Sequence, residues 1–167
     1  MTGAPRRSPL TVSAVREVPH TPERVYAFVA HMDNHWHLSD RRLRLQGLND
    51  ERRGGRIVIA GPLGLRRTAH TTVTTEHEPH QFGGTAAVGH RTRAHADWRI
   101  EPTRHGARVV LESTIASVGT LDRLLLALGG RWWLRRGFAR VLARLADTLD
   151  VSHPTPARTA TTTPAVA

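Results

Sequence analysis

Between Arg42 and Ala116 the chain is a succession of short alternating runs cut by turn signals: Gly54-Gly55, Gly61-Pro62, Glu78-Pro79 and Arg104-His105-Gly106. A period of two places successive side chains on opposite faces of a strand, and a helix cannot satisfy it. The clearest runs are Ala94, Ala96, Trp98 and Ile100 against Arg93, His95, Asp97 and Arg99, and Val109, Leu111, Ser113 and Ile115 against Arg108, Val110, Glu112 and Thr114. This texture predicts a meander of antiparallel strands over about 42–48, 55–60, 65–76, 81–90, 92–101 and 107–117.

The flanks have a different rhythm. Leu10, Val12 and Ala14 alternate with Thr11 and Ser13, which predicts one more strand with a single buried side. Thr21-Pro22-Glu23-Arg24 is a helix start, with Thr21 as N-cap and Pro22 at the first helical position. Val25, Phe28, Val29 and Met32 follow at helical spacing, and a short second helix over Asn34–Ser39 carries Trp36. The last element is helical. Thr120 is expected to cap it, and Leu121, Leu125, Leu128, Trp132, Ala139, Leu142, Ala146 and Leu149 form its apolar stripe. Gly129-Gly130 predicts a kink or break.

The order is therefore strand, helix, short helix, six strands, long helix. With one apolar face on the sheet and one stripe on the helix, the simplest α+β solution lays the helix across the concave face of a curved antiparallel sheet of six to seven strands. Residues 1–8 and 152–167 lack apolar periodicity and are expected to be disordered tails around one domain at 9–151. The chain has no cysteine, so disulfides and thiolate chemistry are excluded. Arg6 and Arg7 have no apolar stretch behind them, and the expectation is a cytoplasmic protein without a membrane span.

The middle strands point small residues inward. Gly84, Ala86, Ala94 and Ala96 share their face with Phe82, Val88, Trp98 and Ile100. Either the helix approaches closely and Trp132 fills the space, or a cavity remains. The cavity is the expectation, concave and mostly apolar.

The segments Thr21-Pro22-Glu23-Arg24-Val25-Tyr26-Ala27-Phe28-Val29-Ala30, Asp97-Trp98-Arg99-Ile100-Glu101-Pro102 with Gly106-Ala107-Arg108-Val109, and Phe138-Ala139-Arg140-Val141-Leu142-Ala143-Arg144-Leu145-Ala146 give the chain a family resemblance. It resembles the START-like (SRPBCC, helix-grip) superfamily, and within it the polyketide cyclase/dehydrase and lipid-transport group. The resemblance implies an apolar pocket between sheet and last helix. Some members cyclise or dehydrate polyketides; many only bind or carry lipids, hormones or pigments. Ligand contacts are expected from Trp36, Ile57, Ile59, Ala86, Trp98, Leu111, Leu125, Leu128 and Trp132, each of which also suits core packing. The expected partner is a hydrophobic small molecule, held by a carrier or binding protein without a cofactor. The alternatives are a polyketide cyclase or dehydratase using one or two polar pocket residues, and an interaction module working through its basic surface. The expected gates are the short second helix, the Gly61-Pro62-Leu63-Gly64 turn and the Gly129-Gly130 break.

No GxSxG, P-loop or GxGxxG-helix pattern is present. His31, His35 and His37 cluster around Asp33. Asn34 breaks the helix between them, so an exposed turn is expected rather than a metal site, with His37 as the candidate pocket acid or base. Glu112 has an outward phase and is expected to pair with an arginine on the next strand. Net charge is +10 with every basic residue an arginine, but these are scattered with few aromatics, which argues against nucleic acid. Arg131-Trp132-Trp133-Leu134-Arg135-Arg136 admits transient contact with a membrane surface. The favoured reading turns Trp132 inward and leaves Trp133 and the arginines outside.

Overall fold

A computed structural model describes residues 10–38, 43–60, 66–89 and 91–151. Strand β1 (Leu10–Val18) leads through helix α1 (Pro22–Ala30) and the short α2 (Asn34–Leu38) into β2 (Leu43–Leu48), β3 (Gly54–Ala60), β4 (Arg66–His77), β5 (Gln81–Val88), β6 (Thr92–Thr103) and β7 (Gly106–Ser117). Then come α3 (Thr120–Leu125), a wide turn of helix over Leu126–Gly130, and α4 (Arg131–Val151). The strands form one antiparallel sheet in the order β1-β7-β6-β5-β4-β3-β2. The expected α+β helix-grip architecture is thus the one observed, and the first strand closes on the last. The expected tails at 1–8 and 152–167 and the Gly61–Gly64 gate lie outside the described residues.

Register shifts at Leu45/Gly47, Val73/Thr75 and Arg93/Ala94 bend the sheet. Gly84 lies opposite Val73 beside one of these shifts, and a Cβ there would collide with the Thr72 carbonyl oxygen. Its small size therefore serves the curvature as well as the space above it. On the convex face Arg99 pairs with Glu112 at 2.9 Å, as the phase of Glu112 predicts, and Arg108 pairs with Glu101 at 2.9 Å.

The hydrophobic core occupies one end of the concave face. Val25, Tyr26 and Val29 of α1, Leu38 of α2, Phe82, Trp98, Ile100, Val109 and Leu111 of the sheet, and Leu142, Leu145, Ala146 and Leu149 of α4 form one buried cluster. Each fully buried aliphatic side chain there contributes about 1.5–3 kcal/mol. Polar contacts fix the same end. Arg24 Nη2 donates to the Leu149 carbonyl at 2.8 Å, His20 Nε2 donates to Asp150 at 2.7 Å, and Arg144 Nη1 donates to the Leu38 carbonyl at 3.4 Å.

Two expectations for the terminal helix need correction. The residue before its first turn is Gly119, not Thr120, and Asp122 lies in that first turn while also reaching Arg67 on the sheet. The apolar stripe is also not continuous. Gly129 at φ 103° and Leu128 at φ −82°, ψ 26° break the helix where the glycine pair predicts it. Beyond the break, Trp132 and Ala139 are exposed while Leu142, Leu145 and Leu149 are buried. At 3.6 residues per turn, Leu142 stands about 80° around the axis from Trp132. The spacing of ten residues carries one stripe onto another face.

Candidate functional site

Antiparallel register places side chains of paired residues on the same face. Phe82 lies opposite Trp98, Gly84 opposite Ala96, and Ala86 opposite Ala94. Thr71 extends the row beyond Ala86, and Ser113 extends it beyond Ala96. The centre of the concave face is therefore a patch with little side-chain bulk, bordered by two hydroxyls. On β3, Ile57 lies opposite Ala69 and continues the apolar wall.

Burial divides this face into two halves. Trp98 is 6% exposed and Leu111, its partner across the register, is also 6% exposed. Both are sealed under α1, α2 and the second half of α4. In contrast Gly84, Ala86, Ala94, Ala96, Ile57, Ile59, Thr71 and Ser113 all remain half-buried. Helix α4 packs mainly on β1, with smaller contacts to α2 and β7. Among the described residues α4 does not close over the small-residue strands, which leaves a partly accessible cleft above them.

A polar cluster borders the cleft at its other end. Arg67 of β4 reaches Asp122 of α3 at 3.0 Å, and the Thr92 hydroxyl donates to the same carboxylate. The Gly119 backbone N–H donates to Thr92 Oγ1 at 3.0 Å. Thr92 is buried, and the side chains of Arg67 and Asp122 are 28% and 15% exposed. Charge-assisted contacts of this kind are stronger than neutral ones in partly desolvated surroundings. They tie α3 to β4 and β6.

His35 marks the boundary between cleft and core. Its ring stands edge-on to Phe82 at 5.8 Å and to Trp98 at 5.7 Å, and Nε2 donates to the Val29 carbonyl at 2.5 Å. Desolvation pushes its pKa below the ordinary 6.5, partly offset by the Val29 contact. The imidazole is held neutral, with the Nε2 proton committed to a carbonyl. The expected acid or base, His37, is instead exposed, and His31 donates through Nδ1 to the Ala27 carbonyl at 2.8 Å at the end of α1. A turn over residues 31–33 separates His31 from the other two, and His35 and His37, two apart on α2, face different sides; Asn34 Nδ2 secures the turn by donating to the Phe28 carbonyl at 2.8 Å. Among the described residues no group of three His, Cys, Asp or Glu side chains could hold a metal ion.

Of the nine residues expected at the ligand, Ile57, Ile59 and Ala86 face the open half of the concave surface, and Trp98 and Leu111 form its packed end. The side chains of Trp36 and Leu125 lie outside those described. Leu128 and Trp132 are 75% and 66% exposed, so the inward orientation expected of Trp132 is not observed. Sequence reasoning missed His35, Arg67, Thr92 and Asp122. Only the inward phase of Arg67 and Thr92 along their strands could have signalled the latter group.

The sequence pattern of the family described as polyketide cyclase/dehydrase and lipid transport matches residues 9–150. Among curated proteins none matches the chain. Similar solved structures include TTHA0849 from Thermus thermophilus, with a TM-score of 0.68 and 19% identity over 86% of this chain and 99% of that one. Protein CV1439 from Chromobacterium violaceum aligns with a TM-score of 0.64 and 13% identity over 84% and 97% of the two chains. Protein Ms6760 from Mycobacterium smegmatis aligns with a TM-score of 0.63 and 18% identity over 86% and 93%. At these identities the likeness is one of fold.

Proposed function

The chain belongs to the polyketide cyclase/dehydrase and lipid-transport family, and from that premise we propose that it binds a hydrophobic small molecule, such as a lipid or polyketide, in the cleft between sheet and C-terminal helix, as a carrier or binding protein. One observation carries this reading: the small-residue patch at the centre of the concave face keeps its access while the neighbouring half is packed solid. A guest there would rest on Gly84, Ala86, Ala94 and Ala96, with Ile57 and Ile59 as a wall and the Phe82–Trp98 pair closing the packed end. Burial of apolar guest surface at about 25 cal/mol per Å² supplies micromolar affinity after the costs of association. The Arg67–Asp122–Thr92 cluster offers the polar end of such a guest a hydrogen-bonding neighbour.

The second reading, a cyclase or dehydratase, is favoured by His35. A neutral imidazole at the border of an apolar cleft is a suitable general base. Consumption of an aromatic polyketide surrogate by the parent protein, but not by a stably folded His35→Phe variant, would select it.

Native mass spectrometry of the freshly purified full chain tests the binding reading. A co-purified lipid or aromatic adduct is expected, together with a raised melting temperature in the presence of fatty acids or polycyclic aromatics. The Ala94→Trp variant should fill the cleft and lose the adduct while staying folded. A consistently clean mass, with no stabilisation by either ligand class, would overturn the reading.

A further inference from the structure

We propose that the junction of α3 and α4 is a docking surface for an anionic phospholipid bilayer. Leu124, Leu128 and Trp132 follow one another at four-residue intervals through the helix break and are 56%, 75% and 66% exposed. The core cluster of the described residues does not include them and draws on α4 only from Phe138 onward. Large apolar side chains gathered on the outside of a helix mark a surface that meets an apolar partner.

The charge around them identifies that partner. Arg123, Arg131, Arg135 and Arg136 are exposed beside the apolar side chains. From Arg123 to Ala146 the chain holds six arginines and no Asp or Glu. The preceding carboxylate, Asp122, is turned toward Arg67 and Thr92 on the sheet rather than toward Arg123, Arg131, Arg135 and Arg136. Trp132 and Arg136 project together, with the guanidinium carbon 5.5 Å from the centre of the indole ring. Trp is suited to the headgroup level of a bilayer, and Arg beside it reaches lipid phosphates. A nucleic-acid backbone would also attract the arginines, but it gives Leu124 and Leu128 nowhere to be buried. An acyl layer beneath anionic headgroups satisfies both sets of side chains.

The mode is contact in the plane of the interface. Among the described residues no helix is long and apolar enough to cross a membrane. The left-handed conformation of Gly129 turns the chain between Leu128 and Trp132, so the apolar residues are presented from a bend. The same segment begins at α3, which Asp122 fastens to the open half of the concave face. Docking would therefore bring a bilayer beside the cleft. The docking surface itself does not depend on what the cleft holds.

Vesicle co-sedimentation with the full chain tests the proposal. The protein should sediment with vesicles of phosphatidylcholine and phosphatidylglycerol, and not with phosphatidylcholine alone, and added salt should release it. Leu128→Ser and Trp132→Ala should each weaken the association at least about tenfold, as expected for loss of one buried apolar side chain. Replacing Arg131, Arg135 and Arg136 together by Glu should abolish it. All these positions are exposed, so thermal melts of the variants should match the parent. Failure to bind anionic vesicles at low salt would overturn the proposal. So would binding that needs the arginines but is unchanged in Leu128→Ser and Trp132→Ala, which is the behaviour of a nonspecific or nucleic-acid-binding basic face.

Discussion

His35 meets Trp98 edge-on, their ring centroids 5.7 Å apart and their planes at 75°, so the imidazole is built into the wall that separates the open cleft from the packed core. Such a contact suits the neutral ring. Protonation would place a charge against two aromatic side chains with little water to solvate it.

This predicts a pH dependence of stability. The folded-state pKa of His35 lies below the unfolded value of about 6.5, so the unfolded chain takes up more protons in the interval between them. The stability contributed by the neutral ring is fully present above that value and is lost as pH falls through the lowered one. Circular-dichroism melts from neutral to mildly acidic pH should show a shallower decline in melting temperature for His35→Phe than for the parent. Equal slopes would show that His35 is not the group being charged.

The Arg67–Asp122 contact should be worth more than an ordinary surface pair, because both side chains are largely covered and Thr92 shares the carboxylate. Asp122→Asn is expected to cost about 1–3 kcal/mol in urea unfolding. A double-mutant cycle with Arg67→Ala should return a coupling of the same sign. Additive effects would mean that the two groups do not act together.

Position along the terminal helices should decide the cost of truncating leucine. Leu145 is fully buried and Leu124 is 56% exposed. Leu145→Ala is expected to lose about 2–5 kcal/mol, whereas Leu124→Ala should stay within about 0.5 kcal/mol of the parent. Chemical denaturation of the two variants checks the division of the helix into an anchored half and an exposed one.

Gly129 has open space around the position of a Cβ, yet its φ of 103° suits an L side chain poorly. Gly129→Ala should therefore destabilise by about 1–2 kcal/mol through the backbone alone. A gain in stability together with increased helicity would show that the break is held by neighbouring contacts rather than required by the chain.

The sheet is legible in the sequence because its side chains alternate over long runs. Ala94 to Ile100 and Val109 to Ile115 need no tertiary information to reveal their inward faces, and the small patch at Gly84, Ala86, Ala94 and Ala96 follows from the same phase. The glycine pair likewise signals the helix break. What cannot be read is whatever depends on how elements meet. His35 lies in a helix of five residues, too short to define a face. The contact of Arg67 with Asp122 spans 55 positions and requires the registers of β3, β4 and β5 to be settled first. Extending one stripe across a ten-residue gap turns Trp132 inward, but at 3.6 residues per turn that spacing already places Trp132 about 80° away from Leu142.

The pairing of β1 with β7 has a consequence for how the protein comes into being. Strands β2 to β7 each find a partner next to them in the chain, but Leu10 must wait for Ile115. Of these seven strands, the first to be synthesised is the last to gain its neighbour, and Val12 and Val18 lack that strand partner in the meantime. Completion of the meander gives the amino-terminal strand its partner, and only the terminal helix, which packs mainly on β1, then covers its inner face.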